Sequence, residues 1–199
     1  MLTPRPYLSF SQMTLFEMSP EKYADQYLFG KKQRINRNMA YGSMLADGLE
    51  AGESTGDPLL DLMMAKIHKF ELMDKPFEAK LPNGKEIINI LAKPDTAKSD
   101  YTAFKEFKTS VRPWSQKMAD ESGQITFYAT AIWLKTGKIP QDIELVDVVV
   151  GYEPDGRLQP TGDIWRFPTK RTMVDVIKMT SRMKRAWAGI KSLCEKELL

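Results

Sequence analysis

Apolar residues recur with helical spacing through the first third of the chain. Residues 9–28 predict two short helices that meet at a corner, with Ser11 capping the first and Ser19-Pro20 beginning the second. Residues 40–50 predict a third helix, which ends where glycine, serine and threonine become frequent. Residues 57–73 predict a fourth helix, which we expect to be buried because apolar side chains cover much of its circumference.

The pattern then changes to short runs that are typical of strands. Residues 77–81 and 86–91 flank the sequence Pro82-Asn83-Gly84, which predicts a hairpin with a tight turn. Residues 101–108 alternate well enough between apolar and polar side chains to favour a third strand. These three strands together predict a meander.

The remainder of the chain alternates between helix and strand. Residues 116–136 predict a helix, and residues 145–152 are so rich in apolar, β-branched side chains that they predict a strand covered on both faces. Residues 158–167 favour a further strand, after which Thr169 or a nearby residue opens a long amphipathic helix. This order favours one α/β domain. Its helical portion is residues 1–75, and its sheet core and closing helix are residues 76–199.

Composition narrows the chemistry that such a domain can perform. The 199 residues include one cysteine, Cys194, and one histidine, His68. These exclude an internal disulfide, a cysteine-based zinc site and an iron–sulfur cluster held by this chain alone, and argue against a Ser-His-Asp enzyme. No apolar run is long enough to span a membrane, and residues 1–11 lack the apolar segment of a secretory signal. We therefore expect a cytoplasmic protein that works through carboxylates, lysines and backbone.

Basic residues are clustered more than the total charge suggests. The formal net charge is only +3, but residues 31–37 contain four basic side chains and no acidic one. A local basic face can hold phosphates, although a solvated helix face would have the same composition. The basic residues of this cluster are Lys31, Lys32, Arg34 and Arg37.

Three ionisable residues have a spacing that suggests catalysis. Asp95 follows Pro94, Glu106 comes after ten intervening residues, and Lys108 stands two positions beyond Glu106. Glu106 and Lys108 are two apart on a predicted strand, so both point to the same face, and a short loop can bring Asp95 beside them. Paired carboxylates favour Mg²⁺ or Mn²⁺ between them, and a lysine can orient a water molecule for phosphodiester hydrolysis. The alternative is an exposed strand with a cross-strand charge pair.

Several further motifs occur around this constellation in a fixed order. The first two are Leu8-Ser9-Phe10-Ser11-Gln12 and Ser19-Pro20-Glu21-Lys22-Tyr23, and the third is residues 40–50. The later ones are Glu106-Phe107-Lys108-Thr109-Ser110 and Gln124-Ile125-Thr126-Phe127-Tyr128. Together with Asp95, these segments resemble the RecB-like exonuclease branch of the PD-(D/E)XK nuclease superfamily, which includes the CRISPR-associated RecB-like nucleases. The resemblance covers nearly the whole chain. It implies a restriction-endonuclease-like core with a central mixed β-sheet flanked by helices.

The resemblance also implies roles for residues of the metal site. Asp95 and Glu106 would bind Mg²⁺ or Mn²⁺, and Lys108 would position the attacking water. The branch often has a histidine ligand in its first motif, where this chain has Ala46. Glu50 is our choice to replace that ligand, with Asp47 as the alternative. Met18 stands where an iron–sulfur member would have cysteine, so no such cluster is expected.

A second group of residues is expected to contact DNA. The resemblance implies that Gln124 and Tyr128, four apart on one helix face, line the active site and hold the strand. The alternative is a polar pair that caps the sheet edge. Arg112 and the basic cluster of residues 31–37 are candidate phosphate contacts. Trp114 has two alternative roles that the sequence does not separate, stacking on a base and covering the core.

These observations favour a metal-dependent DNA nuclease, and an exonuclease in particular, which hydrolyses phosphodiester bonds in phage or bacterial DNA recombination, repair or degradation. A homo-oligomer or a recombination-protein partner remains open. The first alternative is a non-catalytic DNA-binding relative that acts as a subunit of a larger complex. The second is a structural or interaction protein in which the motifs arise by chance.

Overall fold

A central sheet with helices on both faces organises the chain, in a computed structural model that describes residues 3–31 and 37–198. Its strands have the order β1-β4-β5-β6-β7, and β2 and β3 form a separate two-stranded sheet. The strands are β1 (Leu72–Met73), β2 (Phe77–Asn83), β3 (Glu86–Ala92), β4 (Thr96–Ala97), β5 (Ala103–Ser110), β6 (Asp142–Tyr152) and β7 (Leu158–Thr169). The helices are α1 (Phe10–Met18), α2 (Pro20–Tyr23), α3 (Arg37–Ala51), α4 (Pro58–Ala65), α5 (Gln116–Asp120), α6 (Gly123–Thr136) and α7 (Met173–Leu198).

The first two helices meet at a corner, as predicted. Ser19 caps α2 through the Lys22 N–H, and Pro20 occupies the first helical position, where its missing N–H costs nothing. The prediction of Ser11 as the first cap was wrong, because Ser9 lies in extended backbone and its hydroxyl accepts from the Gln12 N–H. After Tyr23 the chain continues as a π-helical turn over Ala24–Leu28.

The fourth predicted helix is shorter than its apolar pattern suggested. Asp57 caps α4, but the helix ends at Ala65, and Leu59 and Leu62 are exposed. Beyond it, the Phe70 N–H donates to the Thr96 hydroxyl, which directs the chain into β1 beside β4. Pairing with this distant strand overrides the helical spacing of residues 66–73.

The predicted hairpin is present, but the predicted meander is wrong. β2 and β3 pair in antiparallel register, and β2 alternates regularly between buried and exposed side chains. β5 does not join them. Pro94 interrupts the chain after β3, and the short strand β4 then pairs with β5 in the central sheet. Glu106 and Lys108 therefore lie on β5 of the central sheet, and Asp95 lies where the chain passes from the small sheet into β4.

The strand β6 is the centre of the fold. It pairs with β5 in parallel and with β7 in antiparallel register, and residues 145–150 are buried, which confirms the predicted two-sided burial. Leu145 packs into the larger core, which also contains residues of α6 and α7. Val146 and Val148 face the other way, into a smaller core with residues of α3 and α4.

One predicted helix is divided in two, and the last helix begins close to the predicted position. The single helix predicted over residues 116–136 is two helices, because Ser115 caps α5 and Ser122 caps α6 at a break between them. Thr169 itself ends β7, and the last helix opens after the nearby Thr172, as the prediction allowed. The Thr172 N–H and hydroxyl both donate to the Asp175 carboxylate. Among the described residues, none of the helices combines the length and apolar character needed to cross a bilayer.

Candidate active site

Glu106 and Lys108 form an ion pair on the face of β5 that packs toward α6. The two-residue spacing puts both side chains on the same face of the strand, as predicted. The Lys108 Nζ donates to the Glu106 Oε1 at 2.7 Å, and the Glu106 side chain is only 3% exposed. The carboxylate is therefore almost out of contact with water, whereas the lysine remains partly accessible.

Asp95 reaches the same place from a different segment. It follows the Pro94 break and comes directly before β4. Its Oδ2 accepts a 2.5 Å hydrogen bond from the backbone N–H of Phe107, the residue between Glu106 and Lys108. Asp95 is thus tied to the middle of β5, as the motif spacing predicted.

The burial of these carboxylates changes their acidity. Burial raises the pKa of Glu106 to about 8, and the nearby Asp95 carboxylate adds to that rise while Lys108 opposes it. Burial also raises the pKa of Asp95, against the Phe107 N–H and Lys108. Burial lowers the pKa of Lys108, but the Glu106 carboxylate outweighs this and the net shift is upward. The site therefore favours an added positive charge.

One carboxylate oxygen at this site has no protein partner. The Glu106 Oε2 is buried and accepts no hydrogen bond from any described residue. An unsatisfied buried carboxylate oxygen costs free energy, so a native site that retains one needs an explanation. A bound cation would supply the missing partner.

A chain of hydrogen bonds extends from this pair to α6. The Lys108 Nζ donates to the Gln124 Oε1 at 2.8 Å, and the Gln124 Nε2 donates to the Tyr128 hydroxyl at 3.0 Å. Burial raises the pKa of Tyr128, and the Glu106 carboxylate adds to the rise. Tyr128 therefore stays a neutral phenol that orients Gln124.

An open cavity of about 390 Å³ adjoins these residues. Asp95, Gln124 and Tyr128 line it, as do residues from the N-terminal segment and the segments that flank the small sheet. The other lining residues are Arg5, Tyr7, Ser9, Phe10, Ser11, Gln12, Tyr27, Asp74, Leu91 and Lys93. The cavity gives a substrate access to the edge of the carboxylate site.

Almost the whole chain superimposes on solved structures with which it shares few residues. A candidate exonuclease from Eubacterium rectale is 13% identical with a TM-score of 0.63, over 96% of this chain and 82% of that one. The alkaline exonuclease LHK-Exo from Laribacter hongkongensis, in complex with dAMP, is 15% identical with a TM-score of 0.53, over 98% and 95%. A phage-related exonuclease from Haemophilus somnus 129PT is 15% identical with a TM-score of 0.53, over 91% and 83%. The fold is one that solved exonucleases have.

This likeness confirms the predicted fold class, a mixed α/β fold with a central mixed sheet flanked by helices. No protein-family model matches the chain, and no curated protein matches it. Because these structures are only 13–15% identical to the chain, the activity has to be argued from the side chains.

The structure does not bring the predicted third metal ligand to the site. Glu50 is exposed near the end of α3, and Asp47 and Ala46 are exposed on the same helix. Within residues 3–31 and 37–198, no three acidic, histidine or cysteine side chains are grouped closely enough to hold a metal ion. Asp95 and Glu106 are adjacent, whereas Glu50 and Asp47 are not placed with them.

The candidate DNA contacts are divided between several places. Lys31 is exposed, forms a 2.7 Å ion pair with Asp25 and is not a cavity residue. Lys32 and Arg34, and the side chain of Arg37, lie outside the described residues. Arg112 is exposed in the loop after β5, and Trp114 in the same loop is partly buried against the larger core. Both alternatives for Trp114, core cover and base contact, are compatible with this position.

Two acidic residues near the site were missed by sequence reasoning. Asp74 lines the cavity, pairs with Lys93 and donates its backbone N–H to the Asp95 carbonyl. It has a positive φ of 48°, which no sequence signal indicated. Asp147 is fully buried in β6. Its signal was available, because it is the only charged residue within the apolar run of residues 145–152.

Proposed function

We propose that the protein is a metal-dependent deoxyribonuclease that hydrolyses phosphodiester bonds. The observation that most supports this is the buried Glu106, which has one oxygen on Lys108 and the other without a partner among the described residues, beside Asp95. A structural ion pair has no use for an unsatisfied oxygen, whereas a cation site does. The fold shared with solved exonucleases supports the same proposal.

The donor set suits a hard divalent cation. Asp95 and Glu106 provide carboxylate oxygens, which Mg²⁺ and Mn²⁺ prefer, and their raised pKa values show how poorly the buried pair tolerates its own charge. Such a cation, when bound, activates a water molecule and neutralises charge on a phosphate. Glu50 or Asp47 would have to move to contribute, so we assign the site to Asp95 and Glu106.

Lys108 and Gln124 would act on the water and the phosphate. Two of the three N–H donors of the Lys108 ammonium are used by Glu106 and Gln124, which fixes the direction of the third. A fixed ammonium can orient an attacking water or offset charge on a phosphate oxygen. Gln124 and Tyr128 hold this arrangement from α6, and Arg112, Trp114 and Lys31 are proposed to contact the DNA backbone or bases outside it.

We propose an exonucleolytic mode, in phage or bacterial DNA recombination, repair or degradation. It is supported by the exonucleases that share the fold. The assay is cleavage of end-labelled linear single- and double-stranded DNA and of closed circles, with Mg²⁺ or Mn²⁺. Loss of linear DNA with intact circles is expected, and nicking of circles would instead indicate an endonuclease.

The chain contains a matched control for the two central residues. Lys105 and Glu144 form another partly buried ion pair, at 2.9 Å between β5 and β6. We expect Lys108→Met and Glu106→Gln to lower cleavage by at least about a hundredfold, and Lys105→Met and Glu144→Gln to leave it largely intact. Circular dichroism checks that all four variants fold. Equal losses in both pairs would contradict the site assignment.

The same assay separates the alternative function. A wild-type protein that binds DNA in a salt-sensitive manner with or without metal, and never cleaves it, would favour the non-catalytic DNA-binding relative. This alternative is motivated by Ala46, which stands where the nuclease branch that the chain resembles often has a histidine ligand.

A further inference from the structure

Asp147 is a fully buried carboxylate in the middle of the most apolar strand of the fold. Its two oxygens accept hydrogen bonds from the Ser110 hydroxyl at 2.8 and 2.7 Å, and one of them also accepts from the backbone N–H of Trp114 at 2.9 Å. It pairs in register with Lys108 on the neighbouring strand. The Asp147 carboxylate thus lies beside β5 but is separate from the pair formed by Asp95 and Glu106.

Stability alone does not account for an acidic residue here. Burying a carboxylate costs several kcal/mol unless hydrogen bonds compensate, and apolar residues of similar volume are often neutral or better in such positions. The neighbours Val146 and Val148 fill the other face of β6 in the ordinary way. The two donors that Asp147 does bind belong to the ends of a single loop.

That loop leads from β5, which carries Glu106 and Lys108, to α5, the short helix that precedes α6. Ser110 is the last residue of β5 and lies about 7 Å beyond Lys108 along the strand. Trp114 comes just before Ser115, the cap of α5, after which α6 brings Gln124 to Lys108. Residues 111–113 between the two anchored positions are exposed. Asp147 therefore fixes both ends of a short exposed span next to the active site.

We infer that Asp147 is a positioning residue for nucleic-acid binding, whose carboxylate holds the β5–α5 loop so that Arg112 and Trp114 meet the DNA strand entering the site. The inference rests on the proposed nuclease function. Arg112 supplies a charge for a phosphate and Trp114 an aromatic surface for a base, and both depend on the loop being fixed at Ser110 and Trp114.

The first experiment tests the loop directly and needs no activity. Amide hydrogen exchange is measured on the wild type and on Asp147→Leu and Asp147→Asn. The leucine removes both acceptors, so we expect the Trp114 amide to exchange at least about tenfold faster while the amides of β6 keep their protection. The asparagine keeps one acceptor oxygen and should retain most of the protection. Unchanged exchange at Trp114 in the leucine variant would overturn the inference.

The second experiment tests the consequence for DNA. Affinity for a fluorescent oligonucleotide is measured in EDTA, and KM and kcat are measured with Mg²⁺. We expect Asp147→Leu to weaken binding and raise KM about tenfold, the size of one lost stacking contact, with kcat changed less than about threefold. Ser110→Ala should give a smaller change in the same direction, and it serves as the second variant if the leucine variant does not fold.

A double-variant comparison separates positioning from a general structural effect. In a background of Arg112→Ala and Trp114→Ala, Asp147→Leu should cause no further loss of affinity. The same tenfold loss in that background, or a fall in kcat without a rise in KM, would overturn the inference while leaving the nuclease function intact. A wild-type protein that neither binds nor cleaves DNA would overturn the proposed function and this inference with it.

Discussion

At the residue scale, Gln124 links the ion pair on β5 to α6 by using both ends of its amide. The oxygen accepts from Lys108 and the nitrogen donates to the Tyr128 hydroxyl. Because an ammonium has only donors, the amide oxygen must face the lysine, and the Tyr128 hydroxyl then holds the amide nitrogen at the other end. Tyr128 therefore acts on the ammonium through an intermediate residue, and its own side chain is 8% exposed.

This arrangement predicts the effect of removing a single hydroxyl. Tyr128→Phe should lower kcat about tenfold, because the Gln124 amide loses the acceptor that fixes it and the direction of the Lys108 N–H bonds becomes less defined. KM should change little, since the ring remains in place. Steady-state kinetics on linear DNA measures both, and Tyr101→Phe, a partly buried tyrosine away from the cavity, is the control. A rise in KM alone would assign Tyr128 to strand binding instead.

The raised pKa of Glu106 predicts an unusual pH dependence of stability in the metal-free protein. Its pKa is about 8 in the folded state, well above its ordinary value, so the folded chain binds more protons than the unfolded chain between about pH 5 and 8. The free energy of unfolding should therefore fall as the pH rises through this window. Glu106→Gln resembles the protonated form at every pH and should lack this decline.

Denaturant unfolding in EDTA at pH 6 and pH 9 checks this prediction. The wild type and Glu106→Gln should be similar at pH 6, and the variant should be more stable by at least about 1 kcal/mol at pH 9. Glu144→Gln provides the comparison, since its carboxylate pairs with Lys105 and Arg166 on β5 and β7. A wild type whose stability is unaffected by pH in this window would contradict the raised pKa of Glu106 in the folded chain.

At the element scale, the break between α5 and α6 depends on one buried guanidinium. Arg171 donates to the carbonyl oxygens of Ala119 and Ser122, which also accept from backbone N–H groups, and to the Thr126 hydroxyl in the first turn of α6. It also holds the end of β7 through Thr169. The position from which α6 brings Gln124 to the site therefore depends on a residue that directly follows β7.

Replacing this guanidinium should destabilise the whole fold. Arg171→Met removes the hydrogen bonds of a buried guanidinium to two carbonyls and two threonine hydroxyls around the break, and we expect the free energy of unfolding to fall by about 3 kcal/mol. Arg185→Met, on the exposed surface of α7, should change it by less than about 0.5 kcal/mol. Urea unfolding of both variants makes the comparison. Similar values for the two would mean that the break is held by its serine caps.

The helix break also illustrates what the sequence can and cannot predict. The two-residue spacing of Glu106 and Lys108, the cap at Ser19 and the apolar run of β6 are local signals, and all three predictions are confirmed. The break at Ser122 depends on Arg171, which is 49 residues away, so a local pattern of apolar residues showed only one helix. The same reason explains the wrong meander.

The site residues also divide into those that a local signal predicts and those that depend on long-range contacts. Asp95 was predicted from a motif, but its bond to the Phe107 N–H required the chain to leave one sheet and enter another. Asp74 and Lys93 are brought to the cavity by that same crossing and belong to no motif. Spacing within one strand is therefore enough to predict that Glu106 and Lys108 share a face. The polar residues that surround them depend on long-range strand pairing, which local spacing does not reveal.

At the scale of the whole molecule, the candidate site connects parts of the chain that are otherwise held separately. The N-terminal segment is attached to the small sheet, since the Leu8 N–H donates to the Asn89 carbonyl and the Leu91 N–H to the Leu8 carbonyl. Both adjoin the cavity, as do the Asp95 segment and α6. A ligand at Asp95 and Glu106 would therefore stabilise contacts among four parts of the fold.

A cation that binds only the folded state should then raise the melting temperature of the entire domain. At a Mn²⁺ concentration about 100 times its Kd, the gain is about 2.7 kcal/mol, which corresponds to a rise of roughly 5–10 °C for a chain of this size. Asp95→Asn and Glu106→Gln should abolish the rise, because each removes a charged ligand, while Glu144→Gln should retain it. Thermal unfolding with Mn²⁺ and with EDTA measures this independently of cleavage. An equal rise in all variants would place the cation elsewhere on the molecule, and the unsatisfied oxygen of Glu106 would then need another partner.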